Sequence, residues 1–147
     1  HIEVFKRLVN SEKAEVDVQS LGARLSLVGL FFGCSLNAPC KQFNGSLCEF
    51  YGRFKKASEH KDKLEIVFVS SDQDQKHWQD FLQEMPWPAL PFKDRHKKVR
   101  DARGDERSCS FSLIRLAGCR SAGSQQTKHA NFYCFSICGV FSLIFFL

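Results

Sequence analysis

With 147 residues, 44% of them apolar and 15 of them phenylalanine, the chain can bury one domain-sized core, which excludes disorder throughout. Its net charge of +5 is modest, and Lys55, Lys56, Lys61 and Lys63 alternate with Glu59, Asp62 and Glu65 as on a solvated surface. No nucleic-acid partner is expected, because that would require basic residues gathered on one face with aromatics between them. Seven cysteines, an odd number in no framework spacing, speak against a disulfide-stapled secreted domain and for a reducing compartment, cytoplasm or nucleus. The chain begins at His1 and its single methionine is Met85, so an N-terminally incomplete sequence is expected, with any leader lying before His1.

Val16 and Val18 alternate with Glu15, Asp17 and Gln19, the period-two pattern of a short half-buried strand. Leu25 to Phe32 is nearly all apolar, as expected of a strand covered on both faces in the middle of a parallel sheet. Asn37 and Pro39 then supply a helix start, with Asn as N-cap and Pro in the first turn. Phe43, Leu47, Phe50, Tyr51 and Phe54 follow at spacings of three and four, predicting a helix to Lys56. Leu64 to Val69 reads as a second buried strand. Asp72 or Asp74 can cap the next helix, which carries Trp78, Phe81, Leu82 and Met85, with both Trp78 and Trp87 expected in the core. Strand, helix, strand, helix in that order predicts a right-handed parallel unit. Pro86, Pro88 and Pro91 mark a short extended segment after it, and Lys93 to Arg100 is a basic, solvated stretch.

From about Asp101 the composition changes, with no acid after Glu106 and no proline after Pro91. Domain boundaries are therefore set at 1–100 for the folded unit and 101–147 for a tail. Residues 131–147 are mostly apolar and, if helical, just long enough to anchor in a thin bilayer; a membrane partner is otherwise not expected. Cys134 and Cys138 stand one helical turn apart there. Cys109, Cys119, His129, Cys134 and Cys138 have none of the regular spacings of a zinc site, so no metal and no cofactor is expected.

The segment richest in chemistry is Gly33-Cys34-Ser35-Leu36-Asn37-Ala38-Pro39-Cys40, where the first apolar run ends and the helix begins. A thiol acts as thiolate, and a helix N-terminus lowers its pKa. The carboxyl end of a central strand is also where open α/β sheets place their ligands. Cys34 and Cys40 are separated by five residues, and they pair only if the turn from Ser35 to Asn37 brings their Cα atoms within about 7 Å. Cys48, roughly on the same helix face as Cys40, is expected to be a buried core thiol.

Long ungapped blocks extend the reading: Val16-Asp17-Val18, Ser20-Leu21-Gly22-Ala23-Arg24, Phe32-Gly33-Cys34-Ser35-Leu36, Ala38-Pro39-Cys40, Phe50-Tyr51-Gly52-Arg53, Leu64 to Gln75, Met85-Pro86-Trp87 and Ala89-Leu90-Pro91. Through them residues 13 to 98 resemble the first thioredoxin-like domain of the nucleoredoxins and, more distantly, the tryparedoxins. The resemblance implies an α/β thioredoxin-like fold around a central parallel βαβ unit, with the C-terminal ββα part missing or replaced. It also implies thiol–disulfide exchange with protein thiols and disulfides, a cytoplasmic and nuclear setting, and redox-sensitive regulation of Wnt signalling through a Dishevelled-type adaptor. Active members read Trp-Cys-Pro-Pro-Cys at the start of the first helix. On this chain the second cysteine falls on Cys40, the second proline on Pro39 and the tryptophan on Leu36, while the nucleophile falls on Asn37. Cys40 is thus the expected essential thiol, Cys34 its displaced partner, and Asn37 and Pro39 the residues that set the helix start. The family's cis-proline loop, opposite the cysteines and ahead of an antiparallel hairpin, finds no proline beyond Pro91 to build it. Weak turnover is therefore expected, and a binding module without electron transfer is the alternative.

Overall fold

The structure, a computed structural model, describes residues 6–94, 109–115 and 132–135. Two short strands, β1 (Leu8–Val9) and β2 (Glu15–Val16), pair antiparallel at the start. The strand expected through Val18 stops at Val16, because the Asp17 carboxylate accepts from the Gln19 and Ser20 amides and caps a helix, α1 (Val18–Arg24). Local capping overrides the alternating pattern here.

The expected βαβ unit follows as β3 (Leu27–Gly33), α2 (Ala38–Ala57) and β4 (Leu64–Ser70), with β3 and β4 parallel and in register from Leu27↔Leu64 to Gly33↔Ser70. Asn37 caps α2 and proline stands in its first turn, as the sequence predicts. Helix α3 (Gln75–Gln83) is capped by Asp74 alone. Asp72 was expected to share that role, but it is buried and turned toward the end of β3. Ala89 then bridges to both Val9 and Phe68, and a 3-10 turn covers Phe92–Asp94. Most of the basic stretch from Lys93 to Arg100 lies outside the described residues.

Strands β5 (Ser110–Arg115) and β6 (Phe132–Phe135) complete a four-stranded sheet in the order β4-β3-β5-β6. Both come from the tail. Strand β5 runs antiparallel to β3, from Leu27↔Arg115 to Phe32↔Ser110, and β6 antiparallel to β5. Sheet pairing therefore continues past residue 100, and the tail supplies a replacement for the antiparallel strands that the resemblance left open. Residues 132–135 are strand rather than helix, so the one-turn spacing of Cys134 and Cys138 does not apply at Cys134; Cys138 and the rest of the apolar end lie outside the described residues. Among the described residues no helix is long and apolar enough to cross a membrane.

Phe31 centres the larger core cluster, with ring centroids 5.4 Å from Phe43 and Phe68 and 6.4 Å from Phe81 and Trp87. Trp78 and Trp87 are buried in it, as expected. The tail reaches the same cluster through Cys109, Phe111 and Leu113, which alternate along one face of β5. Gly29 makes that contact close: a Cβ there would lie 2.5 Å from Phe111 Cζ.

Candidate functional site: three thiols at the head of a helix

Strand β3 ends at Gly33, and the four residues before α2 turn the chain so that Cys34 reaches the first turn of the helix. Asn37 Oδ1 accepts from the Cys40 amide at 3.1 Å, fixing the N-terminus, and the Asn37 amide donates to the Cys34 carbonyl at 3.4 Å. Pro39 stands exposed in the first turn. Cys34 stands at the start of the turn before α2, near enough to Cys40 for the Cys34 backbone amide and side chain both to lower the Cys40 pKa. No disulfide joins them; both are free thiols.

Asp72 secures this turn from the neighbouring strand end. Its Oδ1 accepts from the Ser35 amide (3.0 Å) and the Ser35 hydroxyl (2.9 Å), its Oδ2 accepts from Ser70 Oγ (2.9 Å), and its own amide donates to Ser70 Oγ (2.9 Å). The Ser71 amide donates to the Gly33 carbonyl at 2.9 Å. The thiol turn and the loop after β4 are in this way one hydrogen-bonded unit.

A third thiol completes the group. Cys109, just ahead of β5, is buried in the same core cluster as Cys40. Donation from Cys109 is the largest cause that brings the Cys40 pKa down to about 7, ahead of the Cys34 amide and against the effect of burial. The Cys109 thiol moves the opposite way, because it is the donor of that hydrogen bond and is itself buried. Of the two, Cys40 is the sulfur that carries the negative charge, since it alone sits at a helix N-terminus with a backbone amide aimed at it. Burial pushes the Cys34 thiol up, with the Cys40 and Asp72 charges adding to the effect.

Access differs just as sharply. Cys40 is 0% exposed, whereas Cys34 is partly exposed and is followed by Leu36, 77% exposed and the one large apolar side chain among the described residues left in solvent. Cys34 is the more accessible of the two thiols. Cys48 stays apart: it is half-buried rather than fully buried as expected, and its thiol donates toward Asn44 Oδ1 and the Glu84 carbonyl. Two members of the site escaped the sequence reading. In the sequence Asp72 reads as a helix cap and Cys109 as one of five irregularly spaced metal-ligand types, although Cys109, Phe111 and Leu113 alternate with serines in a strand pattern.

Thiols gathered at the head of the helix in a βαβ unit are the arrangement of a thioredoxin-like protein. A family model described as thioredoxin-like matches residues 26–103, over half of the chain, and the chain belongs to that family. Nucleoredoxin of Danio rerio is 82% identical over 95 residues, covering 65% of this chain and 23% of that protein. Nucleoredoxin of Homo sapiens is 50% identical over 112 residues, covering 65% and 26%. Among solved structures, tryparedoxin I of Crithidia fasciculata superposes with a TM-score of 0.63 at 27% identity, covering 75% of this chain and 73% of that one. The chain spans about a quarter of the length of the nucleoredoxins it matches.

Proposed function

We propose that the chain is a protein-disulfide reductase of nucleoredoxin type, with Cys34 as the entry thiol and Cys40 as the thiolate that resolves. The observation that carries this reading is the placing of two free thiols at the head of α2, Cys34 partly exposed on the turn and Cys40 buried in the first turn with its pKa drawn down to about 7. In the first step the Cys34 thiolate attacks one sulfur of a protein disulfide, forming a mixed disulfide and releasing the other sulfur as thiolate. The Cys40 thiolate then attacks Cys34 Sγ, closing a Cys34–Cys40 bridge and releasing the second substrate thiolate. Two electrons have passed to the substrate, and a dithiol donor returns the pair to the reduced state.

Turnover is slow on this reading, because the attacking thiol is the one whose pKa is raised. The test is reduction of insulin disulfides with dithiothreitol as donor. Cys34→Ser and Cys40→Ser should each remove the rate above the uncatalysed background, and an intact rate in Cys40→Ser would refute the assignment. Likeness to the nucleoredoxins also supports a redox-sensitive role in Wnt signalling through a Dishevelled-type adaptor, in cytoplasm and nucleus.

A second reading, a protein-binding module without electron transfer, is favoured by Asn37 at the family's nucleophile position and by the exposure of Leu36. It predicts that purified Dishevelled-type adaptor binds the Cys34→Ala/Cys40→Ala double variant as well as it binds the parent chain, and that Leu36→Asp abolishes binding.

A further inference from the structure

We propose that Cys109 is a third redox thiol, which takes over the disulfide from Cys34 and closes a Cys40–Cys109 bridge between α2 and β5. The proposal rests on the thiol–disulfide reading above and extends it to a residue that the family match, ending at residue 103, does not contain.

The geometry comes from the sheet. The β3–β5 register ends at Phe32↔Ser110, and one further step sets Cys109 opposite Gly33. Gly33 is also where Cys40 rests: a Cβ at Gly33 would lie 3.1 Å from Cys40 Sγ and 3.5 Å from Cys40 Cβ. The bare backbone of Gly33 therefore leaves the space in which the two sulfurs approach, one descending from α2 and one crossing from β5. Both belong to the cluster centred on Phe31, and the side-chain alternation that buries Phe111 and Leu113 aims Cys109 to the same side. Of the neighbours of Cys40, Cys109 is the one that lowers its pKa most. Cys40, fully buried, thus has a partly exposed thiol before it on the turn, Cys34, and a buried one across the sheet, Cys109.

The exchange balances without an added oxidant beyond the substrate disulfide. After substrate reduction the chain holds a Cys34–Cys40 bridge. Cys109 loses its proton to solvent and attacks Cys40 Sγ; the Cys40–Cys109 bond forms, the Cys34–Cys40 bond breaks, and Cys34 leaves as thiolate. No net oxidation accompanies this step. It moves the disulfide from the partly exposed turn to a pair of buried thiols and frees the entry thiol.

The full chain tests this directly. It is equilibrated in glutathione buffers of graded oxidised-to-reduced ratio, quenched in acid, alkylated and digested with trypsin. Trypsin leaves Cys34 and Cys40 together on Leu25–Lys41 and places Cys109 on Ser108–Arg115. The expected oxidised product is a cross-link between these two peptides with the alkyl group on Cys34, located by fragmentation. In Cys109→Ser, and equally in Cys109→Ala, the cross-link disappears and the bridge within Leu25–Lys41 replaces it. A Cys34–Cys40 bridge in the parent chain with Cys109 alkylated at every ratio would overturn the proposal and leave the reductase reading standing. A cross-link carried by Cys34 instead of Cys40 would also overturn it. If Cys40 stays alkylated throughout, both readings fall.

Discussion

At the scale of single residues, the site is governed by who donates to whom. Cys40 accepts from Cys109 and from the Cys34 amide, so its folded pKa lies below that of the unfolded chain. An acid with a depressed folded pKa adds stability above its unfolded pKa, and that stability is lost as pH falls through the folded value. The Cys40 contribution should therefore grow between about pH 7 and about pH 8.5, read as a widening gap in urea midpoint between the reduced parent chain and Cys40→Ser. Cys34, Cys48 and Cys109, held neutral in the fold and ionising on unfolding, oppose it increasingly through and above that range. Removing the strongest donor makes a cleaner test: in Cys109→Ala the thiolate absorbance of Cys40 should titrate at higher pH than in the parent chain. Asn37 acts through the backbone. Asn37→Ala deprives the Cys40 amide of its acceptor and should cost about 1 kcal/mol in denaturant unfolding.

At the scale of elements, the loop after β4 and the thiol turn share one carboxylate. Asp72→Ala strips acceptors from Ser35 and Ser70 in a buried setting, which should destabilise by about 1–3 kcal/mol in denaturant unfolding. Because the Asp72 charge also raises the Cys34 pKa, Asp72→Asn should speed alkylation of Cys34 by iodoacetamide at neutral pH. Most elements were legible in the sequence for simple reasons. The apolar runs of β3 and β4, and the Asn37 and Pro39 start of α2, are local signals that packing reinforces. Helix α1 was not, because Val16 and Val18 alternate like a strand and only the Asp17 cap decides between the two outcomes. Asp72 was misread for a related reason: two aspartates precede α3, and pattern alone does not say which one caps it and which turns inward.

At the scale of the whole molecule, the part that sequence left unread is the part the sheet needs. Local pattern marks β5 only weakly, since its partner β3 lies about 80 residues earlier and the pairing is fixed by Phe111 seated over Gly29. The convergence of Cys109 with Cys40 depends on that long-range register, which no spacing rule reports. Ending the chain at residue 100 uncovers the core against which Phe111 and Leu113 are buried. Two such side chains are worth roughly 3–6 kcal/mol by area, so the shortened chain should unfold at markedly lower urea than the full one. Gly29→Val attacks the same contact within the full chain, where its side chain meets the Phe111 ring, and it should likewise lower the urea midpoint.

The arrangement of the sheet carries one more consequence. The edge of β3 is a socket, and the rules for filling it are modest: a six-residue strand with a ring over Gly29 and a small side chain opposite Gly33. The βαβ unit brings an ionised sulfur to that edge, but the occupant of the edge decides what the sulfur faces. A peptide ending differently, or one offered by another molecule, can dock by the same backbone pairing and present an alcohol, a methyl or a thiol. The reactivity of Cys40 is in that sense exchangeable by strand replacement, with every residue from Leu25 to Ser70 left as it is.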